Sequence, residues 1–203
     1  GGPALDITLF GRYFLDLSIL YPGAFLCLAP LWEHLKSPRR TALLTAFLVT
    51  VIDLAAAALC TVLDLNSNMM LLPIFLTAFW LLLWRVESAV STGQTAFLFS
   101  LSAVMIAVCN LLSIVLNARA EVDNDAPVCL VSTALLKLGL SAVLCILFWF
   151  TAVQWSRWLL REYRGEAFWQ SAWTLPAIYA AFLVFCMPLD PAVVLINRLM
   201  IIS

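Results

Sequence analysis

The chain has 203 residues, of which 64% are hydrophobic and only 11% charged, with a mean hydropathy of +1.02 and a net charge of −1. An average soluble domain is about half apolar and about a quarter charged, so one aqueous core of this size cannot hide the excess; a lipid bilayer is the solvent that tolerates it. With near-neutral charge and neither a basic run nor a recognition motif, nothing in the composition points to nucleic acid as a partner.

A membrane-spanning helix needs roughly 20 mostly apolar residues. Taken in order, the first candidate lies within residues 5–32 and fits best at 13–32. The second covers 41–63, the third 69–84, the fourth 96–116, the fifth 128–153 and the sixth about 167–187. A seventh starts near Ala192 and reaches Ser203. Its twelve residues make about 18 Å of helix, short of a hydrocarbon core of about 30 Å. The expectation is therefore an all-α, polytopic transmembrane bundle of six complete spans plus a truncated seventh. It forms a single domain over residues 1–203, expected to be a fragment of a chain that continues past Ser203.

Short-loop Lys and Arg residues set orientation. Loop 33–40 carries Lys36, Arg39 and Arg40, loop 85–95 carries Arg85, and segment 154–166 carries Arg157, Arg161 and Arg164. The opposite loops hold one basic residue, Arg119, among Glu121, Asp123 and Asp125. The basic side is expected to be cytoplasmic and the N-terminus outside, in a cell membrane. Trp32, Trp84, Trp155, Trp158, Trp169 and Trp173 fall near that inner interface, where indole rings collect. Within 154–166, Trp155, Trp158 and Leu159 share a helical stripe, as in an interfacial cytoplasmic segment. Pro22, Pro30, Pro73 and Pro176 mark kinks or helix ends.

Ionisable groups inside a span are costly and face the bundle interior. Asp53 lies about 18 Å along its helix from Thr41, and Lys137 about 14 Å from Val128; both sit near the midplane at similar depth. Asp16 and Arg198 are expected to be shallower, on the outer side, with Asn110 in the same half. One reading is an outward-facing polar pocket with Asp53 and Lys137 paired at its floor, and Asp16, Asn110 and Arg198 around it, as a ligand-binding or switch site. Two others stay open: a structural ion pair without a ligand, or two charges in separate cavities.

Catalytic and metal motifs are missing from the sequence: it has no HExxH, no GxSxG and no P-loop. With a single histidine, His34, and no zinc-like cysteine spacing, no metal site and no cofactor are expected. The six cysteines lie in apolar runs and read as small hydrophobes. Cys60, Cys129 and Cys186 share the predicted outer side, where one disulfide could form.

One resemblance follows from residues 12–16 (Arg12, Tyr13, Phe14, Leu15, Asp16), then 20–24 (Leu20, Tyr21, Pro22, Gly23, Ala24), then the basic turn Ser37, Pro38, Arg39, Arg40. This pattern resembles the membrane sensor region of GHKL-type bacterial sensor histidine kinases of the quorum-peptide receptor kind. The resemblance covers the first forty residues by pattern and the rest by helix count and orientation. It implies a signal-sensing domain that responds to an extracellular peptide, a small molecule or the bilayer, and a homodimer joined to a cytoplasmic kinase. No kinase motif lies in these residues. The alternative is a small-molecule binding or transport membrane subunit.

Overall fold

The computed structural model describes residues 6–65, 67–124, 130–162 and 165–183, together with Ile196. The chain is helical, with no strand among the described residues. In order, the elements are α1 (Ile7–Leu17), α2 (Leu20–Leu31), a 3-10 turn (Trp32–His34), α3 (Pro38–Leu63), α4 (Ser67–Arg85) and α5 (Thr92–Leu116). There follow α6 (Ala118–Asn124), α7 (Val131–Phe150), α8 (Ala152–Glu162), α9 (Glu166–Ala172) and α10 (Thr174–Ala181).

Four stretches are long and apolar enough to cross a membrane: Ile7–His34, Pro38–Leu63, Thr92–Leu116 and Val131–Phe150. A shorter apolar helix covers Met70–Arg85. The seventh predicted span lies, apart from Ile196, outside the described residues, as does the end of the sixth. Residues 167–181 of the sixth predicted span form the pair α9 and α10, separated at Trp173.

The first span starts earlier than expected and is broken. Asp6 caps α1, its Oδ1 accepting from the Thr8 and Leu9 N–H groups at 3.0 and 3.3 Å. Asp6 thus satisfies donors that the first turn leaves open and sets the helix start at Ile7 rather than near Tyr13. The break at Ser18 and Ile19 has its cause one turn on: Pro22 has no N–H for the Ser18 carbonyl, and its ring crowds that position. Tyr21 N–H takes the Ser18 carbonyl instead, at 3.1 Å.

Polar groups are buried inside the bundle while many large apolar side chains are exposed on it. Asp53, Thr133 and Ser113 are wholly buried and Lys137 is 4% exposed. Leu43, at 73% exposure, and Phe47, Leu135, Ile146 and Phe150 face outward. Such a surface is compatible with lipid, which solvates apolar side chains and leaves the polar ones to pair inside. The protein has the character of a membrane protein.

Helix α5 is the central element, in contact with α2, α7, α9 and α10. Its inward face is rich in small and hydroxyl residues, including Ser100, Ser102, Ala103 and Ala107, which let helices approach closely in a membrane. On α2 the approach is closest at Gly23, where an added Cβ would lie 2.1 Å from Ile106 Cδ1.

The loops rich in basic residues gather at one end. Lys36 N–H donates to the Arg85 carbonyl and Glu87 N–H to the His34 carbonyl, both at 2.8 Å, and an isolated bridge joins Leu35 to Val86. Arg161 donates to Glu33 Oε2 at 2.5 Å, tying α8 to the same end.

Candidate functional site

Of the arrangements that the spacing left open, the structure does not show Asp53 paired with Lys137. Lys137 on α7 forms its ion pair with Asp16 Oδ1 on α1, and not with Asp53. Ser67, at the start of α4, donates to the other carboxylate oxygen, Oδ2, at 2.9 Å. Three helices therefore converge on one carboxylate. The reason is register: counted from Ile7, Asp16 lies nine residues in, about 14 Å. That matches the depth estimated for Lys137 from Val128. The apolar run after the capping-type Asp6 was the signal that could have revealed it.

Asp53 on α3 sits beside this pair through α1. The hydroxyl of Ser18, two residues past Asp16, lies 3.3 Å from Asp53 Oδ2 and 2.7 Å from the Phe14 carbonyl. A serine hydroxyl carries one proton, so it divides between the two acceptors. The second oxygen, Asp53 Oδ1, is buried and has no hydrogen-bond partner among the described residues. A buried polar atom left without a partner calls for an explanation beyond packing. Tyr13, Ala57 and Cys60 pack together between α1 and α3, so the surroundings of the two carboxylates are largely apolar.

The other predicted site residues are not joined to this cluster. Asn110 enters the described hydrogen bonds through its backbone carbonyl, which accepts from Ser113 Oγ at 2.8 Å. Arg198 lies outside the described residues. Asn117, not singled out from sequence, bridges α5 to α7 by donating to Thr133 Oγ1 at 2.7 Å and Ser132 Oγ at 3.0 Å. Cys60 is a buried free thiol, and Cys129 and Cys186 fall outside the described residues. In the predicted outer acidic loop, Arg119 and Asp123 form an exposed pair at 3.9 Å. Among the described residues no group of His, Cys, Asp and Glu could hold a metal ion.

No family model, curated protein or solved structure matches this chain. Function must therefore be argued from the site.

Two apolar recesses flank the α2–α3 contact. One, of about 250 Å³, lies between α2, α3, α4 and α5, with Leu28, Val49, Phe75 and Ile106 among its lining. Its polar end is Arg85, whose Nε donates to Thr41 Oγ1 at 3.1 Å and whose Nη2 donates to the Lys36 carbonyl at 3.0 Å. The other is a groove of about 380 Å³ between α2 and α3, closed by Trp149 and Arg157.

Together the site offers charge rather than chemistry. It holds a buried ion pair that bridges helices distant in sequence, a second carboxylate with an unmet acceptor, and a helix break between them.

Proposed function

We propose that the chain is a transmembrane signal-sensing domain. In this reading, six spans and a seventh cross the membrane of a bacterial cell, the basic end faces the cytoplasm and the N-terminus lies outside. An extracellular peptide, a small molecule or a change in the bilayer biases the packing of α1, α3 and α7. The C-terminal helices pass that bias to a cytoplasmic output module, a histidine kinase by the resemblance noted above, in a homodimer.

The observation that carries this reading is Asp53, a wholly buried carboxylate near the Asp16–Lys137 pair, one of whose oxygens has no partner among the described residues. A structural ion pair needs one acid and one base; a second acid adds cost without adding a partner. Such an arrangement supports two alternative pairings of Lys137, with Asp16 or with Asp53, separated by a shift at the Ser18 break. A stimulus can act on such an element only through unequal affinity for the two packings.

The test uses the full-length gene product in native membranes, with phosphoryl transfer from ATP as the readout. Asp53→Asn, at equal protein level, should change basal phosphorylation severalfold, because it removes one of the two pairing choices. Unchanged output, or a gene product without phosphoryl output, refutes the reading.

The alternative, a small-molecule binding or transport membrane subunit, is favoured by a different observation, the apolar recess of about 250 Å³ among α2 to α5. It predicts an apolar compound that co-purifies with the protein and is lost when Ala103 is enlarged to Phe.

A further inference from the structure

We propose that the groove between α2 and α3 holds one acyl chain of an anionic glycerophospholipid, with the phosphate at Arg157. The inference is independent of the sensing reading and starts from Arg157 on α8, which the sequence counts only among the basic charges of segment 154–166.

Arg157 turns inward instead. Its Nη2 donates to the Ala29 carbonyl at 3.3 Å, and its guanidinium carbon lies 5.6 Å from the centre of the Trp149 ring. The Ala29 carbonyl already accepts from the Trp32 N–H, so Arg157 adds a second bond to the end of α2. It uses one of five guanidinium donors. The Nε atom is buried and has no hydrogen-bond partner among the described residues. The nearby carboxylate, Glu33, is hydrogen-bonded to Arg161 and also feels the charge of Arg157, without a direct ion pair to it. Arg157 has no carboxylate partner among the described ion pairs. Nε itself is too deeply covered to meet an external group, but Arg157 lines the groove, and a guanidinium that spends one N–H on Ala29 keeps others that suit a phosphate.

The groove that runs from this arginine suits a hydrocarbon chain. Its volume of about 380 Å³ falls in the range of about 300–1,000 Å³ common for bound small molecules. Its walls are apolar except for Arg157, Thr45 and the far end. Ala24, Ala42 and Ala46 make the depression, and Trp149 forms one side. Along α2 the lining runs from Tyr21 to Trp32, eleven steps or roughly 16 Å. Half of a hydrocarbon core of about 30 Å is one leaflet, so the groove spans the depth of a single acyl chain. It is closed at depth by Tyr21, whose hydroxyl is 2.6 Å from Thr50 Oγ1. The charged end coincides with the basic end of the bundle, where Lys36, Arg39 and Arg40 are also exposed, and basic clusters at that level attract anionic headgroups. The neighbouring recess is a weaker match, since Arg85 there already donates to Thr41 and Lys36.

The experiment is native mass spectrometry of the purified protein released from micelles equilibrated with equal phosphatidylglycerol and phosphatidylcholine. The wild type should retain one phosphatidylglycerol in preference to phosphatidylcholine by about fivefold, the scale of one basic side chain at an anionic surface. Arg157→Gln should reduce that preference to parity. Ala46→Phe, which fills the groove, should lose the retained lipid of either kind. Lys36→Gln, exposed at the same end but outside the groove, should keep the wild-type preference, and inorganic phosphate should not displace the lipid.

Parity in the wild type overturns the proposal, as does an undiminished preference in Arg157→Gln. Lipid retention in folded Ala46→Phe, an equal loss in Lys36→Gln, or displacement by phosphate alone would also overturn it. Should Arg157→Gln fail to fold, the wild-type preference and the Ala46→Phe result decide.

Discussion

Removing the charge of Lys137 gives the most direct test of how the bundle is held together. Lys137 is 4% exposed and its partner Asp16 is largely covered. Two unit charges in contact at an effective dielectric constant near 20 attract by about 4 kcal/mol, most of which offsets their desolvation. Breaking a buried pair by deleting one member costs about 3–5 kcal/mol, whereas replacing both is close to neutral. Lys137→Met leaves Asp16 and Asp53 together without a cation, so the loss should lie in the upper part of that range. Lys137→Met/Asp16→Asn should return to within about 1–2 kcal/mol of the wild type. Lys137→Met/Asp53→Asn should not, because Asp16 is still stranded. The assay is reversible unfolding by steric trapping in bicelles, run as a double-mutant cycle. If Asp53→Asn rescues and Asp16→Asn does not, the ion pair has been assigned to the wrong carboxylate. If neither rescues, Lys137 is held by something other than charge.

Three further outcomes are expected, each read from the same unfolding measurement. Gly93→Ala places a Cβ 2.6 Å from the Trp169 carbonyl oxygen; such overpacking costs about 1–3 kcal/mol, less up to about 1 kcal/mol of helix propensity, so a net loss is expected and a gain refutes the α5–α9 packing. Ser91→Ala removes half of a reciprocal cap, in which Ser91 Oγ accepts from Gln94 N–H at 3.2 Å and Ser91 N–H donates to Gln94 Oε1 at 2.9 Å; it should cost about 1 kcal/mol, and Ser91→Asp should restore most of that. Asp64 ends α3 at a φ of 52°, in the left-handed region where side chains are strained, so Asp64→Gly should stabilise by up to about 1 kcal/mol.

Much of the fold was legible in the amino-acid order. The ends of α3, α4 and α5 fall within four residues of the expected spans, because hydrophobicity changes sharply at loops such as the one holding Lys36, Arg39 and Arg40. The meeting of the basic loops at one end is another legible feature, since an alternating path leaves few other places for them. The candidate site was legible in part. Asp16, Asp53 and Lys137 stand out wherever a charge interrupts an apolar run, and the structure gathers all three. The inward turn of Arg157 was not legible, because helical periodicity assigns a face and says nothing about which neighbour that face meets.

Composition alone points to an apolar solvent. With 64% hydrophobic residues, the backbone must satisfy its own hydrogen bonds in helices, and intramembrane charges must turn inward to meet one another. Only the tertiary structure decided which charges meet. Partner choice depends on depth and rotation, and a start at Ile7 instead of Tyr13 moves Asp16 by about 9 Å along α1. That shift exceeds the reach of an ion pair, so it transfers Lys137 from Asp53 to Asp16 and leaves Asp53 with its unmet oxygen.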